Sequence, residues 1–356
     1  MKSSAKLSIW EPVAALVHVI HRHFIWVIVA SYVIAAFLPT FGLWIRHAEL
    51  GGTEMQHGQR GISLPLLMLA LLLFNAGLGA KTGELRQLLH RPLVLLGGLF
   101  GNLATPLAFI IAISFAMRRW HNPEEVQQIL VGLALVAAMP IAGASTAWAQ
   151  NANGNLTLSL GLVLLTTALS PLLTPLVLHA VGFVTTGDYS EDLHELASGG
   201  VVSFLGTWVI LPSLLGMAVH RLAGQRPIAR VQPYLKLVNY CVLVLLNYSN
   251  ASLTLPQAVF HPDLDFLAVI LAIVIGLCII AFVSGYLLAR VFRADRGGMV
   301  SLMFGLGMNN NGAGLVLASV VLADHPQVML PIIFYNLVQH LVASAADFAL
   351  FRRQPA

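Results

Sequence analysis

Charge is scarce in this chain: 10% of its 356 residues are charged, while 58% are hydrophobic. Water-soluble domains carry roughly 25% charged residues, so the shortage excludes an ordinary globular enzyme. Cysteine is scarcer still. Cys241 and Cys278 both lie in apolar runs, form no metal-binding spacing and read as buried thiols. No cleavable signal peptide is legible, because Glu11, His18, His21, Arg22 and His23 interrupt the segment after Lys2 and Lys6. Clusters of Asp, His or Ser of the kind an intramembrane enzyme needs are missing too, and the chain is not read as an enzyme. The net charge of +4 does not point to nucleic acid, because the positive residues are placed by membrane topology instead.

What the chain does have is apolar length. Ten stretches reach the roughly 20 residues a bilayer requires: 24–45, 61–80, 93–117, 128–150, 156–180, 199–221, 235–256, 265–291, 298–322 and 327–351. The fourth has a well-signalled start in Asn122-Pro123-Glu124-Glu125, an N-cap, a first-turn proline and two first-turn acids. If the stretches alternate in direction, fifteen of the nineteen Lys and Arg residues fall on the side of the N-terminus. Only Arg46, Arg60, Arg118 and Arg119 fall on the other. That bias predicts an integral, multi-pass protein of the plasma (inner) membrane with both termini cytoplasmic. Residues 1–23 read as an amphipathic interfacial segment, with Trp10, Val13, Val17, Ile20 and Phe24 at helical spacing. An extension of the first span is the alternative.

Two of the stretches are interrupted. Met139-Pro140 and Gly143-Ala144-Ser145-Thr146 break the fourth; Gly305, Gly307-Met308-Asn309-Asn310-Asn311-Gly312 and Gly314 break the ninth. A broken helix frees backbone groups that lipid cannot satisfy, so it must face protein or a watery cavity. Five stretches per half make the second half inverted relative to the first, and the breaks then occupy matching fourth places. Such matching breaks point to the binding site of a secondary transporter. The expected layout is a first repeat at 24–182, an external acidic loop at 183–198, a second repeat at 199–351 and a cytoplasmic tail at 352–356. The expected fold class is an all-α membrane protein of ten transmembrane helices in two inverted five-helix repeats, with broken, crossing helices four and nine. Asn336, His340, Ser344 and Asp347 form a polar stripe in the last stretch, with Asp347 placed to pair with Arg352 or Arg353. Gly97 and Gly101 form a GxxxG spacing that predicts close helix packing.

The residues at the two breaks resemble those of the bile acid:sodium symporter family. Pro140-Ile141-Ala142-Gly143-Ala144-Ser145-Thr146, Gly154-Asn155 and Ser170-Pro171-Leu172-Leu173-Thr174-Pro175 are similar to the family's Pro-Gly-Gly-x-x-Ser-Asn, Gly-Asn and Ser-Pro-Leu-Leu-Thr-Pro. Gly305 to Gly312 is similar to its Glu-x-Gly-Met-Gln-Asn-x-Gly, and His340 matches a histidine common in the family. The resemblance covers residue 61 to the C-terminus. It implies a sodium-coupled carrier of a small organic anion, with ten helices in two inverted halves and no cofactor beyond a coupling Na+.

Carried over residue by residue, the resemblance makes Asn102, Ser145, Thr146, Ser159 and Asn309, with the carbonyls of Leu306 and Met308, the candidate sodium ligands. Substrate contacts are expected from Gly143, Asn310, Asn311, Gly312 and His340. The departures fall on the sodium side. Gly305 stands where the family has its only carboxylate, Thr146 replaces an Asn, Asn309 and Asn102 replace Gln, and Val163 replaces a Thr. A site of neutral oxygens would hold sodium more weakly. The alternatives are a sodium-independent carrier and a proton-coupled one using His340. A channel would show rings of charge and a receptor a sensor domain, and neither is legible. Partners are thus the organic anion and the lipid bilayer; the sequence does not give the oligomeric state.

Overall fold

The computed structural model describes residues 23–50, 62–79 and 92–351. The expected interfacial segment, Lys81, Arg86 and Arg91, and the tail with Arg352 and Arg353 lie outside the described residues, His23 excepted. Apart from one short antiparallel pair, β1 (Glu49–Leu50) and β2 (Ile62–Ser63), the regular structure is helical. A helix satisfies its own backbone hydrogen bonds, which is why apolar runs in lipid take this form.

Helices α1 (Phe24–Phe37) and α2 (Thr40–His47) share the first apolar stretch but are bent by 94° between them. Pro39 lies in the bend; it has no N–H and pushes Leu38 out of the helical region. Then come α3 (Leu64–Gly79) and α4 (Pro92–Ala116). Helix α5 (Pro123–Ala138) starts as the sequence signals: the Asn122 side chain accepts from the Glu124 N–H at 3.1 Å. After a gap, α6 (Ala144–Asn151) completes the fourth stretch, and α7 (Leu156–Gly182) fills the fifth.

The acidic segment expected as a loop contains a helix instead, α8 (Asp188–Glu195). Gly187 turns the chain at φ 62°, and Asp188 and Glu191 complement the new N-terminus. Wider turns and a short helix α9 (Val201–Phe204) lead into α10 (Leu211–Ala223). The rest is α11 (Gln225–Ala251), α12 (Leu255–Phe260), α13 (Leu264–Val291), α14 (Arg296–Gly307), α15 (Asn311–Val321) and α16 (Met329–Ala346). A helix or helix pair therefore occupies each of the ten apolar stretches. Among the described residues, five helical segments are individually long and apolar enough to cross a bilayer, and six with the bent pair. The molecule is an all-α, multi-pass membrane protein.

The deepest core lies where the broken stretches run. Residues 129–142 and 300–309 are buried throughout, and α16 packs beside them. Glycine sets how near the other helices come. A Cβ on Gly77 would sit 2.1 Å from the Ser213 carbonyl oxygen, and one on Gly216 2.1 Å from that of Phe74, so α3 and α10 touch backbone to backbone. The Gly97–Gly101 pair is a packing device as expected: added methyls would strike Phe292 at 2.2 Å and Leu288 at 2.5 Å. Gly77→Ala is therefore expected to lower the melting temperature in detergent, at a cost of about 1–3 kcal/mol. Gly79→Ala, where nothing lies within 4 Å, should melt like the wild type. Equal melting of both variants would contradict the contact.

Candidate site where two broken helices meet

Both interruptions are real, and they bind each other. Between α5 and α6 the chain is extended through Met139 to Ala142; between α14 and α15 it is extended at Met308 and Asn309. Ile141 and Asn309 form an antiparallel bridge. Its hydrogen bonds run from the Ala142 N–H to the Met308 carbonyl and from the Asn310 N–H to the Pro140 carbonyl, both 2.9 Å. Two segments that lipid could not satisfy thus supply one another's donors and acceptors.

Side chains from the following helices take the remaining groups. The Thr166 hydroxyl of α7 accepts from the Ile141 N–H at 3.1 Å, and the Thr174 hydroxyl donates to the Ala138 carbonyl at 2.6 Å. On the other break, Gln339 Oε1 of α16 accepts from the Asn309 N–H at 3.1 Å, and the Tyr335 hydroxyl donates to the Gly307 carbonyl at 3.3 Å. The Asn309 amide also donates to the Val136 carbonyl at 2.8 Å, near the end of α5. Asn310 caps α15 by accepting from the Ala313 N–H at 3.3 Å. Four helix ends converge here. The N-termini of α6 and α15 carry partial positive charge, and the C-termini of α5 and α14 carry partial negative charge. One meeting point therefore suits an anion and a cation at the same time.

Buried oxygens remain for a cation. Ser145 Oγ, Asn102 Oδ1 and Asn309 Oδ1 are buried and have no hydrogen-bond partner. Ser145 does not back-bond to its own helix, the usual fate of such a hydroxyl. Thr146 and Ser159 face each other, with Ser159 donating at 3.1 Å. The Met308 carbonyl, expected to be free, already accepts from Ala142, and Leu306 lies against α4 beside Gly101. At Gly305 a Cβ would touch Leu162 at 3.2 Å and Ile141 at 3.9 Å, so the position of the family's carboxylate is apolar here. Among the described residues, no group of three or more His, Cys, Asp and Glu could hold a metal ion.

Residues 22–348 match the SBF-like CPA transporter family. The chain belongs to that family. It is a membrane transporter. Two proteins of Bacillus subtilis (strain 168) are similar over most of their length. One is the uncharacterized protein YbaS, 26% identical over 288 residues that cover 80% of this chain and 87% of the relative. The other is the uncharacterized sodium-dependent transporter YocS, 24% identical over 281 residues covering 79% and 81%.

Other expected residues of the transporter fall around the same point. Gly143 is exposed, with no atom within 4 Å of where a Cβ would stand, so the N-terminus of α6 has an open side. Asn311 is buried, which excludes the surface turn that an Asn-Gly pair also allows. The near neighbour of Gly312 is Asn310 Oδ1, at 3.7 Å from a Cβ there. His340 is buried on α16, and the Trp148 indole N–H of α6 donates to its Nδ1 at 3.4 Å. Trp148 also stacks on Phe304 of α14, ring centroids 6.1 Å apart. Thr166, Tyr335 and Gln339 were not among the expected residues, and Thr174 entered only as part of a family-like motif. Their one sequence signal is a polar group inside an apolar helix next to a break.

Thr166→Val keeps the shape but strands the Ile141 N–H. It is expected to cost about 1–3 kcal/mol of stability, read as a lowered melting temperature. A wild-type melting temperature would show that Thr166 does not hold the break.

Proposed function

We propose that the protein is a secondary carrier of a small organic anion, working by alternating access around the meeting point of the two broken helices. The observation that carries this reading is the antiparallel pairing at Ile141 and Asn309, with unpartnered Ser145 and Asn309 oxygens beside it. The N-termini of α6 and α15, with Gly143, Asn310, Asn311, Gly312 and His340 nearby, would face the anion's carboxylate or sulfonate. Asn102, Ser145, Thr146, Ser159, Asn309, the Leu306 carbonyl and the second lone pair of the Met308 carbonyl, beside its bond from Ala142, would hold a sodium ion with neutral oxygens alone.

The packing supports ten crossings in two inverted five-helix repeats, 24–182 and 199–351. Helices α1 and α2 pack against α11 as α10 packs against α3; α4 packs against α7 as α13 packs against α16; and α4 meets α13 across the middle. Exchanging the two halves maps each contact onto its counterpart. Each break is also held by the helix that follows it, α7 in one half and α16 in the other. The Lys and Arg distribution supports cytoplasmic termini in the plasma membrane.

Sodium coupling draws support from the relative YocS, whose name calls it sodium-dependent, and from the unpartnered oxygens. Gly305 makes the ion weakly held. In proteoliposomes of the full-length protein, we expect an inward sodium gradient to drive uptake of taurocholate or of a short monocarboxylate such as pyruvate. Ser145→Ala and Asn309→Ala should each reduce it by about tenfold or more, as expected for groups that contact the cargo or its ion. Uptake unchanged when potassium replaces sodium would remove the coupling. Uptake unaffected by either substitution would remove the site.

A further inference from the structure

One buried polar cluster starts at the site above and runs beyond it. From the second break a chain of amides runs outward: the Asn309 N–H donates to Gln339, Gln339 Nε2 to Asn336 Oδ1 at 3.3 Å, and Asn336 Nδ2 to the Tyr32 hydroxyl at 2.8 Å and to Asn247 Oδ1 at 3.4 Å. It joins α14–α16 to α1 and α11. There the pairing stops. Asn250, one turn further along α11, is fully buried, and neither its amide nitrogen nor its oxygen meets a protein partner. The same holds for both side-chain atoms of Asn311, at the start of α15, and for Asn247 Nδ2. Helix α15 packs against α11 as well as α16.

Unpaired buried amides are costly, and apolar residues of the same shape would avoid that cost. Polar groups kept at membrane depth mark pathways for what is carried. The unpaired set also indicates the chemistry of its ligand. It holds three NH2 donors, on Asn247, Asn250 and Asn311, and two carbonyl acceptors, on Asn250 and Asn311. A cation would use the acceptors alone and a bare carboxylate the donors alone, whereas a hydroxyl or amide group uses both. We propose that Asn247, Asn250 and Asn311, the last shared with the site above, form a second polar site between α11 and α15 that recognises an uncharged hydroxyl group of the transported anion. This inference rests on the carrier reading.

The test compares taurocholate with taurocholanate, which keeps the amide and sulfonate but lacks the ring hydroxyls, in proteoliposomes of Asn250→Leu and Asn247→Leu. Asn250→Leu should fold and melt at or above the wild-type temperature; Asn247→Leu, which also gives up the bond from Asn336, should fold and melt slightly lower. Taurocholate uptake should fall about tenfold or more, and taurocholanate uptake markedly less, because a site built for a hydroxyl loses most with the substrate that has one. Independently of transport, Asn250→Cys in a Cys241→Ala background should react with methanethiosulfonate ethylammonium, while the background protein stays unmodified. Full uptake of both probes by the leucine variants, or an introduced thiol of Asn250→Cys that resists the reagent, would overturn the proposal. If Asn309→Ala abolishes uptake while Asn250→Leu does not, the carrier reading stands and this inference alone fails. If neither changes uptake, the carrier reading fails. If the wild type carries neither probe, the thiol reaction decides.

Discussion

Everything in this transporter depends on a short piece of paired backbone in the middle of an apolar bundle. Breaking a helix at membrane depth leaves N–H and C=O groups that hydrocarbon cannot satisfy. One break alone would be prohibitive; two placed side by side satisfy each other through the Ala142–Met308 and Asn310–Pro140 hydrogen bonds. That pairing brings four helix ends to one point, leaving the meeting point polar without a single carboxylate from the ninth stretch.

The surroundings follow from this constraint. Thr166, Thr174, Tyr335 and Gln339 hold the groups that the pairing does not reach, and each comes from the helix following its break. The chain is buried throughout residues 129–142 and 300–309, so the breaks are enclosed by protein. Around them the helices approach through glycine, α3 on α10 and α4 on α13. Gly305, packed against Leu162 and Ile141, leaves cation binding to neutral oxygens.

Much of this was legible in the sequence, for physical reasons. Pro140 and Gly143 in one apolar run, and Gly307 and Gly312 around three asparagines in another, are residues that a continuous lipid-facing helix would not keep. The resemblance at those positions led to the family the chain belongs to. Other features were illegible until contacts were known. A threonine such as Thr166 serves its own helix or a neighbour equally well from sequence alone, and Gln339 was overshadowed by the adjacent His340. Asn247 and Asn250 belong to no motif, and only the contacts show that they are buried among other amides. The segment 183–198 read as a loop because it is acidic and has no Lys or Arg, yet the same acids stabilise the start of α8. Pro39 stands inside the first stretch, but that α2 turns by 94° and lies on α11 shows only in the contacts.

Cross-linking tests the paired breaks most directly. Ile141 and Asn309 are a non-hydrogen-bonded antiparallel pair, in which Cα atoms stand about 4.5 Å apart, close enough for a disulfide. In membranes holding the double variant Ile141→Cys, Asn309→Cys on a background without Cys241 and Cys278, mild oxidation should join the two cysteine peptides, seen by mass spectrometry of a digest. Two free, alkylatable cysteines after oxidation would contradict the account.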